Sequence, residues 1–242
     1  MKVKILKSPN HSSRKRRSNQ IKFIVIHYTG MQSEGESIKR LIDKKSNVSA
    51  HYLINKKGHV VKMVEDSKIA WHAGRSKWKN FINLNSYSIG IELTNRGHRL
   101  GYENFSKKQI NKLLTLCKFL IKKYKIKRAN ILGHSDIAPL RKIDPGEKFP
   151  WKLLSRKKIG YWHYASKKNN KSLNLKKIDY RNYFFSNLSK IGYRYFDKRK
   201  PASTDSKIIK AFQRRFRQNK VNGQLDEECL QISYYLTHSL KN

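Results

Sequence analysis

Cysteine is nearly absent: Cys117 and Cys229 are the only two in 242 residues. They lie far apart with no metal-type spacing, so neither a disulfide framework nor a cysteine zinc site follows from them, and a reducing compartment fits. Acidic side chains are scarce as well. Sixteen Asp and Glu face 55 Lys and Arg, leaving a formal net charge of +39. The excess runs along the whole chain instead of forming a tail, and Lys dominates it, as a general compositional bias would produce. A field of that size still attracts polyanions without specificity, although no recognised nucleic-acid motif accompanies it. Long apolar runs are missing too. The longest, Phe23-Ile24-Val25-Ile26, falls far short of the roughly 20 residues a membrane span needs. The opening stretch from Met1 to Pro9 is basic and lacks an apolar region of about 7–15 residues. No secretory leader is read there, and a cytoplasmic location is expected.

Against these absences stands enough apolar material for a core. Hydrophobic residues make up 38% and aromatics 11%, with four Trp, 13 Tyr and 10 Phe, far more than a solvated polyelectrolyte carries. The length suits one domain of about 150 residues plus a smaller one.

Residues 1–20 read as a basic polar arm leading into a buried-type strand at Phe23–His27. Ile38, Leu41 and Ile42 recur at helical spacing and predict a short helix over 36–45. Ala50–Asn55 and His59–Val64 flank Lys56-Lys57-Gly58 and predict a hairpin; Ser88–Leu93 is a further strand. The strongest helical pattern covers 106–125, where Ile110, Leu113, Leu114, Cys117, Leu120, Ile121 and Tyr124 repeat at three and four. Ser106 is its predicted cap, with Gln109 reaching back and Phe105 stapling against Ile110. A strand at Asn130–Leu132 and a polar loop from Gly133 to Trp151 follow. Strands interleaved with helices predict an α/β fold, a central mixed sheet flanked by helices over 21–160. Beyond the polar stretch Ser166–Lys171, helices over 175–190, 205–217 and 226–239 predict a small all-α module at 172–242.

Two of the nine histidines end strands. His27 closes an apolar strand before Tyr28-Thr29-Gly30, and His134 follows Asn130-Ile131-Leu132-Gly133. Asp144 comes ten residues later, beside Pro145-Gly146, whose turn can hold a carboxylate toward the same loop. Two imidazoles and one carboxylate leave one corner of a tetrahedral Zn²⁺ open, the catalytic pattern and not the structural one.

Five segments carry a family resemblance: Ile24-Val25-Ile26-His27-Tyr28-Thr29, Trp71-His72-Ala73-Gly74, Ser88-Ile89-Gly90-Ile91-Glu92-Leu93, Gly133-His134-Ser135-Asp136-Ile137-Ala138-Pro139 and Arg141-Lys142-Ile143-Asp144-Pro145-Gly146. Over about residues 20–155 they resemble the type 2 N-acetylmuramoyl-L-alanine amidases of the AmpD/AmiD-like branch, whose fold is shared with T7-type lysozyme amidases and peptidoglycan recognition proteins. The tail, including Lys210 to Arg217, more weakly resembles the peptidoglycan-binding module of AmiD-like members, a generic helical extension being the alternative. The resemblance implies one zinc ion on His27, His134 and Asp144, with Glu92 as general base and Lys142 as second catalytic residue. It implies hydrolysis of the amide between N-acetylmuramic acid and L-alanine, in peptidoglycan or its anhydro-muropeptide fragments.

Several further positions follow from the same likeness. Trp71, His72 and Ala73 are expected to line the groove, a core tryptophan being the alternative for Trp71. His51 is expected near the metal or against substrate, and Ala138 is expected to leave room for the L-alanine of the stem. T7-type relatives carry a tyrosine where Ala50 precedes His51, so the Glu92 version of the mechanism is the relevant one. Two rival readings are a non-catalytic recognition protein of the same fold and a basic nucleic-acid-binding protein. The first usually lacks a zinc ligand, whereas all three are present here.

Overall fold

The computed structural model describes residues 2–163 and 179–239. Among the described residues the strands are, in chain order, β1 (Val3–Ile5), β2 (His11–Lys15), β3 (Phe23–Tyr28), β4 (Tyr52–Ile54), β5 (Val60–Lys62), β6 (Lys68–Ala70), β7 (Lys77–Trp78), β8 (Phe81–Ile82), β9 (Ser88–Leu93) and β10 (Ile131–Gly133), with helices interleaved. The helices are α1 (Glu34–Ile42), α2 (Lys107–Tyr124), α3 (His134–Ile137), α4 (Trp151–Arg156), α5 (Tyr180–Ile191), α6 (Asp205–Phe216) and α7 (Glu227–Ser239). Six strands form the central sheet in the order β1-β5-β4-β9-β3-β10, mixed because β4 and β5 pair antiparallel while the other neighbours are parallel. Among the described residues no helix is long and apolar enough to cross a membrane.

Period-two alternation decides what each face of this sheet does. On β3, Ile24 and Ile26 point to the face covered by α2, where they join Ile89, Ile91 and Leu93 of β9 and Ile110, Leu113 and Leu120 of the helix. Phe23 and Val25 point to the opposite face, and there they meet Phe184, Phe185, Phe212 and Phe216 of the C-terminal helices. His27 continues that second row. Its register partner on β9 is Glu92, in a row with Ser88 and Gly90 that is conspicuously free of large apolar side chains. Leu53 of β4, also in register with Glu92, packs instead with Leu41 of α1. One end of the second face is thus covered by α1 and the other by the C-terminal helices.

Two expectations need correction. The arm over 1–20 is not free: β1 pairs with β5 at the sheet edge and β2 with β6, while Arg16 is buried and donates to the carbonyls of Asp66, Asn85 and Ser88. Short polar edge strands have no hydrophobic periodicity to betray them. Ser106 caps α2 as expected, accepting from the Gln109 amide at 3.1 Å, but the Gln109 side chain does not reach back; it donates to the carbonyls of Ile54 and Thr94. The C-terminal helices share one apolar cluster with the sheet. The expected boundary at 172, the stretch 166–171 and the start of the helix predicted from 175 lie outside the described residues.

Candidate active site

His27, His134 and Asp144 converge at the bottom of a cleft of about 590 Å³. All three are buried, and each offers one ligand atom to a common point. His27 Nδ1 lies 3.0 Å from His134 Nδ1 and 3.1 Å from Asp144 Oδ2, and His134 Nδ1 is 3.1 Å from the same oxygen.

The outer nitrogens of the two rings determine what the inner ones present. His134 Nε2 faces the Ala73 carbonyl at 3.1 Å. A carbonyl only accepts, so Nε2 carries the proton and Nδ1 keeps its lone pair. For His27 the same result travels through a relay. Ser88 Oγ donates its single proton to the Leu84 carbonyl at 2.6 Å, so it accepts from His72 Nε2 at 3.2 Å. His72 Nδ1 then bears a lone pair and accepts from His27 Nε2 at 3.0 Å. Two lone pairs and a carboxylate oxygen therefore face one another with no proton among the neutral rings, an arrangement that calls for a cation at its centre.

Electrostatics agree. Burial, and then the neighbouring His134, hold His27 down to about 4. Burial alone would raise Asp144, but the adjacent His134 and His27 outweigh it and keep the carboxylate well below its ordinary range. Glu92 is the opposite case: burial, then the charge of Asp144, push it up to about 8, with Lys142 pulling the other way. Its Oε2 is enclosed and has no hydrogen-bond partner among the described residues. Lys142 also lines the cleft.

The remaining expected residues divide. Trp71 lines the cleft, its Nε1 donating to Ser12 Oγ at 3.2 Å. His72 reaches the cleft wall, yet both ring nitrogens are engaged in orienting His27. Ala73 is fully buried and is no groove residue; its carbonyl fixes His134 and also accepts from Arg141. Ala138 is 2% exposed and belongs to the core beneath the C-terminal helices, so it leaves no room for a substrate methyl. His51 is fully buried away from the cleft: Nδ1 accepts from the Gly90 amide at 3.0 Å, and burial followed by the charge of Arg16 lowers it to about 3.

Composition hid other parts of the site. Arg40, Arg96, Arg99 and Arg141 line the cleft together with Lys142, but single arginines carry no signal in a chain with 55 cations. Asn85, which accepts from the amides of His72 and Ala73, was equally invisible. The Ser88-Gly90-Glu92 row, in contrast, is a legible signal: three residues at period two, none of them apolar.

Residues 17–147 match the Amidase_2 family, N-acetylmuramoyl-L-alanine amidase. AmiD of Escherichia coli is 37% identical over 229 residues, covering 88% of this chain and 81% of that protein. The chain belongs to the N-acetylmuramoyl-L-alanine amidase family. AmpD of Haemophilus influenzae, a 1,6-anhydro-N-acetylmuramyl-L-alanine amidase, is 32% identical over 164 residues, covering 60% of this chain and 86% of that protein. Among solved structures, E. coli AmiD in complex with anhydro-N-acetylmuramic acid-L-Ala-D-γ-Glu-L-Lys superposes with a TM-score of 0.78 at 34% identity, covering 94% of this chain and 91% of that one. AmpDh3 of Pseudomonas aeruginosa reaches 0.83 at 29% identity, with 96% and 95% covered. The mixed sheet is thus the fold of an amidase, the His/His/Asp cluster is a group that could hold a metal ion, and neither rival reading is favoured.

Two consequences for stability arise directly from this geometry. Gly90 lies under the His72 ring, and a Cβ there would sit 2.4 Å from His72 Cγ. Gly90→Ala is therefore expected to displace the relay and destabilise the amidase by about 1–3 kcal/mol, read as a lower urea midpoint; an unchanged midpoint would show that the ring packs elsewhere.

The second concerns pH. His27, His51 and His72 all have lowered pKa values, with burial the largest cause in each. An unfolded chain protonates such rings near 6.5, so between about 6.5 and 4 it binds more protons than the native state, and stability falls as the pH falls. Glu92 acts in the opposite sense across 4.5–8, because its raised pKa favours the protonated native form. The metal-free Glu92→Gln variant removes that opposition. Its urea midpoint should drop clearly from pH 7 to pH 5, whereas a flat profile would mean the histidines are not held neutral.

Proposed function

We propose that this amidase is a zinc enzyme that hydrolyses the amide joining the lactyl group of N-acetylmuramic acid to L-alanine, and that it accepts anhydro-muropeptides. The observation that carries the reading is the ligand triangle. Zinc bonds of about 2.0–2.1 Å in tetrahedral geometry place ligand atoms roughly 3.3 Å apart, and the three donors here are separated by 3.0, 3.1 and 3.1 Å. Two neutral imidazoles and a carboxylate also suit zinc, and leave a corner facing the cleft.

A zinc ion on these residues would supply Lewis acidity and lower the pKa of an attacking water toward about 7. The protein's own groups handle the protons. Glu92, beside His27 on the neighbouring strand, takes a proton from the water as its oxygen adds to the amide carbonyl. It then delivers that proton to the nitrogen as the C–N bond breaks, and the remaining proton of the new carboxyl passes to the amine, giving a free lactyl carboxylate and a free L-alanine ammonium. Lys142 offers its ammonium to the oxyanion that forms between the two events. The cationic lining from Arg40, Arg96, Arg99 and Arg141 suits a substrate whose peptide stem carries carboxylates.

Mass spectrometry of purified muropeptides tests this. Peptide release should occur with the zinc-loaded protein, stop after chelation and return with zinc, and metal analysis should find about one ion per chain. Cleavage that is indifferent to chelator would refute the zinc assignment.

A further inference from the structure

The resemblance of the tail to a wall-binding module rests on residues around Phe212 and Gln213, and these are buried. Gln213 is fully enclosed and braces the turn at 222–224 through its Oε1 and Nε2. Those side chains present nothing to a polymer. What the same helix does present, on its inner side, is Arg215.

Arg215 and Asp136 form an ion pair whose members are 3% and 1% exposed. Asp136 sits two residues beyond the metal ligand His134. Its Oδ2 accepts from the Gly133 amide at 2.7 Å, closing the turn between β10 and α3 whose corner is His134. Arg215 Nη1 donates to that oxygen, and Tyr193 Oη donates to Oδ1 at 2.6 Å. The other arm of the guanidinium, Nη2, donates to the Ile131 carbonyl at 2.8 Å. One planar group thus ties the strand before His134 to the helix after it. The same turn reaches the third ligand, because the Ser135 amide donates to the Asp144 carbonyl at 2.9 Å.

We propose that Arg215 and Tyr193 are positioning residues of the metal centre, holding the Gly133–Asp136 turn so that His134 Nδ1 stays in the ligand triangle. The proposal rests on the metal-site reading given above. Stability alone explains the pair poorly. A buried ion pair is about neutral or worse against apolar groups of similar size, and the surrounding cluster of Phe184, Phe212 and Leu132 could have closed the interface without charge. What apolar groups cannot do is bond a carbonyl and a carboxylate simultaneously at fixed angles, which is what the guanidinium fork does and a lysine would not. The fork is itself clamped, with its carbon 4.2 Å from the Trp151 ring and 5.1 Å from that of Phe216.

The test uses the full chain with the Arg215→Met, Arg215→Lys, Tyr193→Phe and Arg217→Met variants, each well below its melting temperature. Arg217 is the control: it is buried in the same module and paired with Asp226, with no contact to Asp136. Zinc affinity is read by competition with a fluorescent chelator, and kcat and KM on a muropeptide. Tyr193→Phe and Arg215→Met should weaken zinc binding about 10–100-fold, the scale seen when groups supporting metal ligands are lost, and lower kcat with KM little changed. Arg215→Lys should remain impaired, and Arg217→Met should lose thermal stability while binding zinc normally. Should Arg215→Met fail to fold, Tyr193→Phe carries the test through the loss of one hydroxyl. Variants that melt earlier but keep wild-type zinc affinity would reduce the pair to an interface brace and overturn the proposal, as would equal zinc loss in Arg217→Met. Zinc affinity is measured without substrate, so a wild-type protein that binds zinc but cleaves no muropeptide would refute the catalytic reading and leave this one standing.

Discussion

Exchanging Glu92 for glutamine is expected to lower kcat about 10²–10⁴-fold, the range of a lost general base, with bound zinc retained. The carboxylate stands next to His27 across the β3–β9 pair, lines the cleft and leaves Oε2 enclosed without a partner among the described residues. An amide of the same shape preserves the packing and removes only the ability to take a proton. The pH profile sharpens the expectation. The base works ionised, so activity rises with pH through its pKa. Burial and Asp144 set that value at about 8 in the metal-free site, and a divalent cation beside it, acting in the same sense as Lys142, moves the acid limb below 8. Lys142→Met withdraws one positive charge and should shift that limb to higher pH, besides lowering kcat about 10²–10³-fold through the lost oxyanion donor. A Glu92→Gln protein with undiminished turnover would remove Glu92 from the mechanism.

Asp144→Ala should abolish zinc retention, weakening affinity by more than about 100-fold, since even groups that only support ligands are worth 10–100-fold. The substitution strips the only carboxylate from the triangle and leaves two buried lone pairs, at His27 and His134, facing each other at 3.0 Å. Activity should fall with metal content. Asp144→Asn separates the causes: an intermediate affinity would show that geometry survives and charge is what is missing. The result that would sink the ligand assignment is an Asp144→Ala protein that still carries one tightly held zinc after dialysis against chelator.

Much of this site was legible residue by residue. The strand over Phe23–His27 announces itself by its apolar run, and its terminal histidine, with His134 and Asp144, already describes a ligand set with one corner free. The row Ser88-Gly90-Glu92 could be read as the non-core face of its strand. Local pattern misleads where a side chain's role depends on what packs above the sheet. Ala73 and Ala138, expected against substrate, are core residues, because α3 turns Ala138 toward the C-terminal helices and the loop after β6 turns the Ala73 side chain inward while its carbonyl meets His134. His51, expected near the metal, spends its Nδ1 on the Gly90 amide.

The sequence alone determined the elements and the chemistry: period-two and period-three-to-four patterns set which residues share a face, and residue types at strand ends set which groups could bind metal or move protons. Tertiary structure alone decided the protonation of the two ligand rings, through the Ala73 carbonyl and the His72–Ser88–Leu84 relay, and the reach of Arg215 across 79 residues to Asp136. Local patterns encode a face, but not which distant element covers it, and hydrogen bonds of this kind exist only once those elements have met.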